Sequence, residues 1–301
     1  MVGEQLIGTS LHCLGDQLGA RRHLERVFAD YAAVDHRTYM IRFPVDPRVN
    51  ARVFLARVLW LQGFPDQAMR AAESSIEDAR AADHAVSLCQ ALAMGACPIA
   101  LLVGDLATAE HYVGMLLDHS TRHGLTHWRA FGVCHQGALA IKRGDVMTGS
   151  QLLRAGFNGV DARSAVQFVV LLMTAALDHA SQASEGLAEL NEAIERSEQT
   201  EECWLIPDLL RIKGELRLLQ GTQGAATEAE GHFRQALDWA RRQGALSLEL
   251  RAATSLARLL RDQNRSADAT ALLQPVYDRF TEGFDTADLK AAKALLDELA
   301  S

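Results

Sequence analysis

Aromatic residues are scarce in this chain, at 6% of 301 residues against 49% hydrophobic overall. A core built mainly from Ala and Leu, with few β-branched runs, favours helices. Five cysteines (Cys13, Cys89, Cys97, Cys134, Cys203) are scattered, odd in number and without CxxC spacing. That argues against a disulfide or zinc framework and for buried thiols of a cytosolic protein. No block of like charge marks a tail, and the net charge of -8 argues against a nucleic-acid surface covering the chain. The longest apolar run, Ala91 to Val103, is broken by Gly95 and Pro98 and is too short to span a bilayer. Met1 is followed by VGEQLIG, which supplies no basic segment and apolar core of a secretory signal. The expected location is therefore cytoplasmic, away from membranes.

What the chain does contain is a repeated pair of helices. Glu249 to Phe280 reads as two helices with a tight turn at Gln263-Asn264-Arg265. Ala253, Leu256, Ala257 and Leu260 form one apolar stripe at i, i+3, i+4, i+7. Ala269, Leu273, Val276 and Phe280 form a second, and Pro275 should kink that helix. Other units follow the same plan, with turns at Gly15-Asp16, Gly63 to Pro65, Gly104-Asp105, Gly144-Asp145 and Gly221 to Gly224. A second proline kink is expected at Pro98. The small residues Ala20, Ala68, Ala109, Gly149, Gly186, Ala229 and Ala269 recur at separations of 48, 41, 40, 37, 43 and 40 residues. A period near 40 with two helices per unit is the signature of an α-solenoid.

The fold expected is all-α: a right-handed α-solenoid of about seven helix-turn-helix, TPR-like repeats. It forms one domain over 1–301, with an irregular connection at 34–47 around Pro44 and Pro47 and a capping helix at 285–300. Asp285 or Thr286 is expected to cap that helix, and Leu289, Ala292, Leu295, Leu296 and Leu299 form its stripe.

A turn Gly-Asp followed by a small residue five positions after the glycine resembles the tetratricopeptide repeat, although these units exceed its ~34 residues. Four segments narrow the resemblance: RFPVDPRVNARVFLARVLWLQGFPDQA, LLDHSTRHGLTHWRAFGVCHQGALAIKRGD, ELRAATSLARLLRDQ and PVYDRFTEGFDTADLKAAKALLDEL. Together they resemble the C-terminal repeat region of bacterial signalling ATPases of the STAND type. In that family a winged-helix or an adenylate/guanylate cyclase domain precedes the ATPase, and the repeats come last. The resemblance implies a regulatory, ligand-sensing role. It carries neither ATP hydrolysis nor DNA binding to any residue here, because no GxxxxGK[ST] is present to wrap phosphates.

First helices of tetratricopeptide-like units line a concave groove. Aligned on the small positions, the units turn Arg57, Trp60, Phe131, Phe168, Arg211, Glu215, Arg251 and Arg258 towards it. Arginines there would grip carboxylates or phosphates and aromatics would anchor apolar groups; the alternative is a solvated face with the aromatics packed between repeats. Charge reversal at Arg211, Arg251 and Arg258 is then expected to weaken ligand binding without unfolding the chain. His119, His123 and His127 have metal-ligand spacing, but Gly124 should end their helix, and ordinary hydrogen bonding is preferred. Cys134-His135 invites a nucleophile reading, but adjacent helical residues do not face each other. Trp128 and Trp204 are read as inter-repeat packing, and Arg21, Arg22 and Arg26 as a solvated outer face. No catalytic constellation, metal or cofactor is expected. The partner is a protein, a peptide or a small inducer, and not nucleic acid. A non-enzymatic regulatory module is favoured over a free-standing adaptor or a cyclase-linked repeat region, and an enzyme on a helical scaffold has the weakest support.

Overall fold

Each Gly-Asp pair ends one helix and begins the next. The last carbonyls of a helix have no intrahelical donors, and a left-handed residue just past the end returns N–H groups to them. Gly15, Gly104 and Gly144 take that conformation, with φ of 96°, 86° and 91°. The N–H groups of Asp16, Asp105 and Asp145 then donate to Leu11, Ala100 and Ala140 carbonyls at 2.9, 3.0 and 3.0 Å. Each aspartate carboxylate in turn caps the following helix, accepting from the N–H of Gly19, Thr108 and Thr148 at 2.8, 3.0 and 3.1 Å. Asn264 replaces the glycine in the last hairpin, at φ 60°.

The structure, a computed structural model, describes residues 1–29, 45–157, 159 and 183–300. Among these residues every regular element is helical, with no strand. The chain falls into two compact units, Met1–Trp60 with Pro65–Ala165, and Leu61–Phe64 with Val166–Ser301. The first unit holds α1 (Val2–Leu14), α2 (Gln17–Ala29), α3 (Pro47–Leu61), whose last residue is assigned to the second unit, and α4 (Pro65–Ala81). Then come α5 (Ala85–Gln90), a π-helical turn (Ala91–Ala96), α6 (Cys97–Val103), α7 (Leu106–Arg122), α8 (Thr126–Lys142) and α9 (Val146–Phe157). The second unit holds α10 (Ala183–Thr200), a 3₁₀ turn (Cys203–Leu205), α11 (Ile206–Gln220), α12 (Ala225–Gln243), α13 (Leu246–Asp262), α14 (Ser266–Tyr277) and α15 (Ala287–Leu299). Within each unit helices pack on their chain neighbours, and in the second α13 also touches α11 and α15.

The recurring small residues lie where paired helices meet. Ala20, Ala68, Ala109, Ala229 and Ala269 are wholly buried, and Gly149 and Gly186 are buried as well. At the α8–α9 crossing the two backbones touch: a Cβ on Gly149 would stand 2.6 Å from the Gly137 carbonyl oxygen, and one on Gly137 2.7 Å from that of Gly149. Gly8 receives Leu24, and Gly214 receives Phe233, in the same way. Large residues then fill the flanks, with Leu24, Leu116, Leu153 and Phe233 fully buried.

Some expectations change. The irregularity expected at Pro98 falls earlier, in the π-helical turn, and Pro98 itself occupies the first turn of α6. Its missing N–H leaves the carbonyls one turn back, Ala93 and Met94, without that intrahelical donor. The helix nevertheless continues through Gly95 and Pro98. Ala85–Val103 is one 19-residue helical rod, apolar and long enough by composition to cross a membrane, and 61% of it is buried within the fold. Pro275 lies in the last turn of α14, two residues before the helix stops, and Phe280 is buried beyond its end. Thr286 stands at the start of α15, but neither it nor Asp285 caps the helix through its side chain. Asp285 instead pairs with Lys290 at 3.7 Å. The stripe of α15 is nonetheless buried on α13 and α14, Leu299 only in part. Of the connection expected at 34–47, residues 34–44 lie outside the described residues, as does the first helix of the fifth repeat.

The backbone contact at Gly149 makes a paired prediction. Gly149→Ala is expected to destabilise by about 1–3 kcal/mol, because a backbone carbonyl cannot give way as a flexible side chain can. Gly231→Ala, in α12 with nothing within 4 Å, is expected to stabilise by about 0.5–1 kcal/mol through helix propensity. Urea unfolding of both variants beside the native chain checks the contrast in sign.

Candidate ligand face and buried polar clusters

Helical spacing puts Asp208, Arg211 and Glu215 on one face of α11, and Arg251, Ser255 and Arg258 on one face of α13. In the second unit these faces meet. Asp208, 2% exposed, accepts from Arg211 Nε at 2.6 Å and from an Arg251 terminal nitrogen at 3.1 Å. Arg251 Nε also donates to Asp288 of α15 at 2.7 Å, and Ser255 Oγ donates to Glu215 at 2.5 Å. The result is a polar ladder of alternating sign across α11, α13 and α15. Burial alone would lower the Arg251 pKa, but Asp288 and Asp208 hold it above the ordinary guanidinium value. Burial would likewise raise that of Asp208, and Arg211 and Arg251 outweigh it and hold it low. Both groups stay charged because each desolvated charge has its counter-charge in hydrogen-bond contact.

The structure therefore joins Arg211 and Arg251 in one network, with Glu215 bonded separately to Ser255 and Arg258 exposed on the next turn of α13. Asp208 and Asp288 complete it and were not singled out from the sequence. An aspartate inside the apolar run WLIPDLL, three residues before an arginine, is the signal that could have found the first. A second missed group is Glu249, whose side chain is 4% exposed between Arg241 at 2.8 Å and Arg279 at 2.6 Å. A carboxylate between buried Leu248 and Leu250 was the corresponding signal.

The remaining expected ligand residues have other surroundings. Trp60 and Phe131 are buried, at 4% and 1% exposure, and Phe168 lies outside the described residues. Arg57 is 6% exposed in the first unit and donates from Nε to the Met94 carbonyl at 2.7 Å. His135, fully buried, donates from Nε2 to the Ala93 carbonyl at 2.7 Å. Both carbonyls belong to the π-helical turn, where the i→i+4 ladder is interrupted. His12 lies near this pair, edge-on to Phe54 at 5.6 Å, with Nδ1 2.9 Å from the Gln17 side-chain oxygen. Arg57 approaches the Phe54 ring at 5.7 Å.

His119 bonds the Ala85 carbonyl at 3.2 Å and lies 4.4 Å, ring to ring, from His123, while His127 on α8 bonds the Gly159 carbonyl at 3.0 Å. Among the described residues no group of three or more His, Cys, Asp or Glu is placed to hold a metal. Cys134 packs against Gly156, and burial pushes its thiol up to about 12. It is a packing residue rather than a thiolate nucleophile at neutral pH. Trp128 lies tilted against Phe131 of the same helix at 5.6 Å, and Arg21 pairs with Glu25 at 2.7 Å on an open surface. Compared with protein-family models and with curated proteins, the chain matches none.

The ladder revises the expected effect of charge reversal. Arg251→Glu puts a third carboxylate between Asp208 and Asp288 and is expected to destabilise by at least about 3–5 kcal/mol, the cost of orphaning a buried charge. Arg258→Glu, on an exposed turn, is expected to stay within about 0.5 kcal/mol of the native chain. Thermal and urea unfolding compare the two.

The histidines set a pH dependence. Burial is the main reason that His12 is lowered to about 3 and His135 to about 4, and the nearby Arg57 charge adds to it. Unfolded, both would titrate near 6.5, so the unfolded chain binds more protons between that pH and the folded values. Their contribution is complete above pH 6.5 and is lost as pH falls, by about 1.4 kcal/mol per pH unit for each. Between pH 7.5 and 5.0 the native chain is expected to lose about 2 kcal/mol per histidine. His135→Gln should remove about half of that pH dependence, as read from urea midpoints at the two pH values.

Proposed function

We propose that this chain is a non-enzymatic binding module made of TPR-like hairpins stacked as a right-handed α-solenoid. Its ligand face is built from the first helices of successive repeats. The observation that carries this reading is the ladder of Asp208, Arg211, Glu215, Arg251, Ser255 and Asp288 across α11, α13 and α15. It sets fixed, largely buried charges of both signs beside the exposed Arg258, which a peptide segment carrying carboxylates would meet first. Paired arginines are preorganised, so a peptide finds its hydrogen-bond partners already oriented. A small inducer bearing a carboxylate would use the same groups. On this reading the chain works in the cytoplasm as the regulatory C-terminal part of a bacterial ATP-dependent transcriptional regulator. Groove binding there would alter how a linked ATPase domain docks, because a ligand shifts whichever arrangement it binds better. A free-standing adaptor or a cyclase-linked repeat region is the second reading.

The size of the native protein separates these readings. An antibody against this chain should detect a band much larger than 32.9 kDa in source cells if the repeats belong to a multidomain regulator, and one near that mass if they form an adaptor. Partner capture supplies the binding test. Arg258→Glu should lower the yield of the captured partner at least tenfold with folding unchanged, and equal capture would remove the ladder face from the proposal.

A further inference from the structure

One edge of the α11–α12 seam gathers nitrogen donors. Phe233 of α12 fills the space beside Gly214 of α11, so their neighbours His232 and Lys213 stand at one level of the hairpin. A turn further along, Arg217 of α11 lies 3.3 Å from Glu228 of α12. Lys213 and Arg217 are spaced i, i+4, as are Glu228 and His232, so each pair shares a face of its helix. By the same spacing Asp208, Arg211 and Glu215 lie on the opposite side of α11.

The hydrogen bonding at this edge is incomplete. Lys213 is half-buried, and among the described residues no carboxylate pairs with it. Its charged neighbour is Arg217, and burial together with that charge lowers its pKa. Arg217 Nε is buried, and although Glu228 is close the two are not aligned for a hydrogen bond. Gln235 approaches the His232 ring, yet the buried Nδ1 of His232 has no hydrogen-bond partner among the described residues. Buried nitrogens left without acceptors on facing helices are costly unless something supplies the acceptor. Glu228 offsets one cation of the cluster, so with His232 neutral one positive charge remains in excess.

We propose that this edge binds a phosphate group, free or as a small phosphomonoester, held by Lys213, Arg217 and His232. The donors arrive from two helices, and a phosphate has oxygens enough to meet all three where a carboxylate has two. Arg217 is already oriented, with Glu228 on one side and Nη1 donating to Gln220 at 3.1 Å, so little ordering is needed on binding. The bound anion supplies the counter-charge that Lys213 lacks. It also favours the protonated ring of His232. Burial, Lys213 and Arg217 otherwise hold that ring below its ordinary pKa, against Gln235 and Glu228.

The histidine proton signals of the whole chain, followed by NMR at neutral pH and constant ionic strength, test the site. Inorganic phosphate should move the His232 signal, identified by its absence in His232→Gln, along a saturable curve with a dissociation constant of about 1 mM. By linkage, the titration of His232 should move to higher pH when phosphate is bound. Lys213→Met, which keeps the apolar stem, should weaken binding about tenfold, and Lys213→Arg should retain most of it. Glycerol phosphate distinguishes the sources: tighter binding than inorganic phosphate assigns the site to a monoester, and weaker binding to the free ion. If His232→Gln does not fold, calorimetry of phosphate binding to the native and Lys213→Met chains gives the same comparison. A His232 signal or a binding heat unmoved by phosphate would overturn the proposal, as would an equal response to acetate or an equal response in Lys213→Met. None of these outcomes touches the ladder on the opposite side of α11.

Discussion

At the crossings of paired helices the backbones come so close that little more than a hydrogen atom or a methyl group fits between them. The Cα of Gly137 and that of Gly149 each face the other's carbonyl oxygen, and Gly8 and Gly214 give way to Leu24 and Phe233. Much else follows from this closeness. The core can be filled by alanine and leucine with few aromatics, because the gaps between close helices are narrow. The small position returns once per hairpin, since each hairpin has one crossing. Turns must be short to hold the pair together, and left-handed glycines with capping aspartates provide them. A hairpin packed this tightly still leaves its outer stripes uncovered, so its stability comes from neighbours.

Where polar groups enter this apolar packing, the fold satisfies them in two ways. In the second unit carboxylates answer arginines, as Asp208 and Asp288 answer Arg251 and Arg241 and Arg279 answer Glu249. In the first unit backbone carbonyls do the same work: the π-helical turn interrupts its own ladder, and Arg57 and His135 bond to Met94 and Ala93. The first arrangement buries opposite charges together, each answered by its partner. The second buries a cation among neutral groups, and burial, helped by that charge, keeps the neighbouring histidines unprotonated.

The first and last helices contrast in the same terms. The apolar stripe of α15 lies against α13 and α14, whereas that of α1 faces water. Burying Gln5 and His12 while exposing Leu6, Ile7 and Leu14 inverts the usual preference.

Periodicity alone determined the helices, their turns and the faces they bury: Ala253, Leu256, Ala257, Leu260, Ala269, Leu273 and Val276 were all legible as core because helical spacing is a local property. Turn chemistry was legible for the same reason, since a left-handed glycine and a capping aspartate act within a few residues of themselves. The π-helical turn itself was not legible: Pro98 marked an irregularity that falls one turn before it, but the donors that answer the freed carbonyls arrive from α3 and α8. The candidate site was legible in part. Arg211, Glu215 and Arg251 follow from repeat register, but their partners Asp208 and Asp288 depend on which helices touch. Arg57, Trp60 and Phe131 look alike in register and are nearly sealed from water. Register determines which way a residue points from its own helix; only tertiary packing decides whether water, a carboxylate or another helix occupies the space it points into.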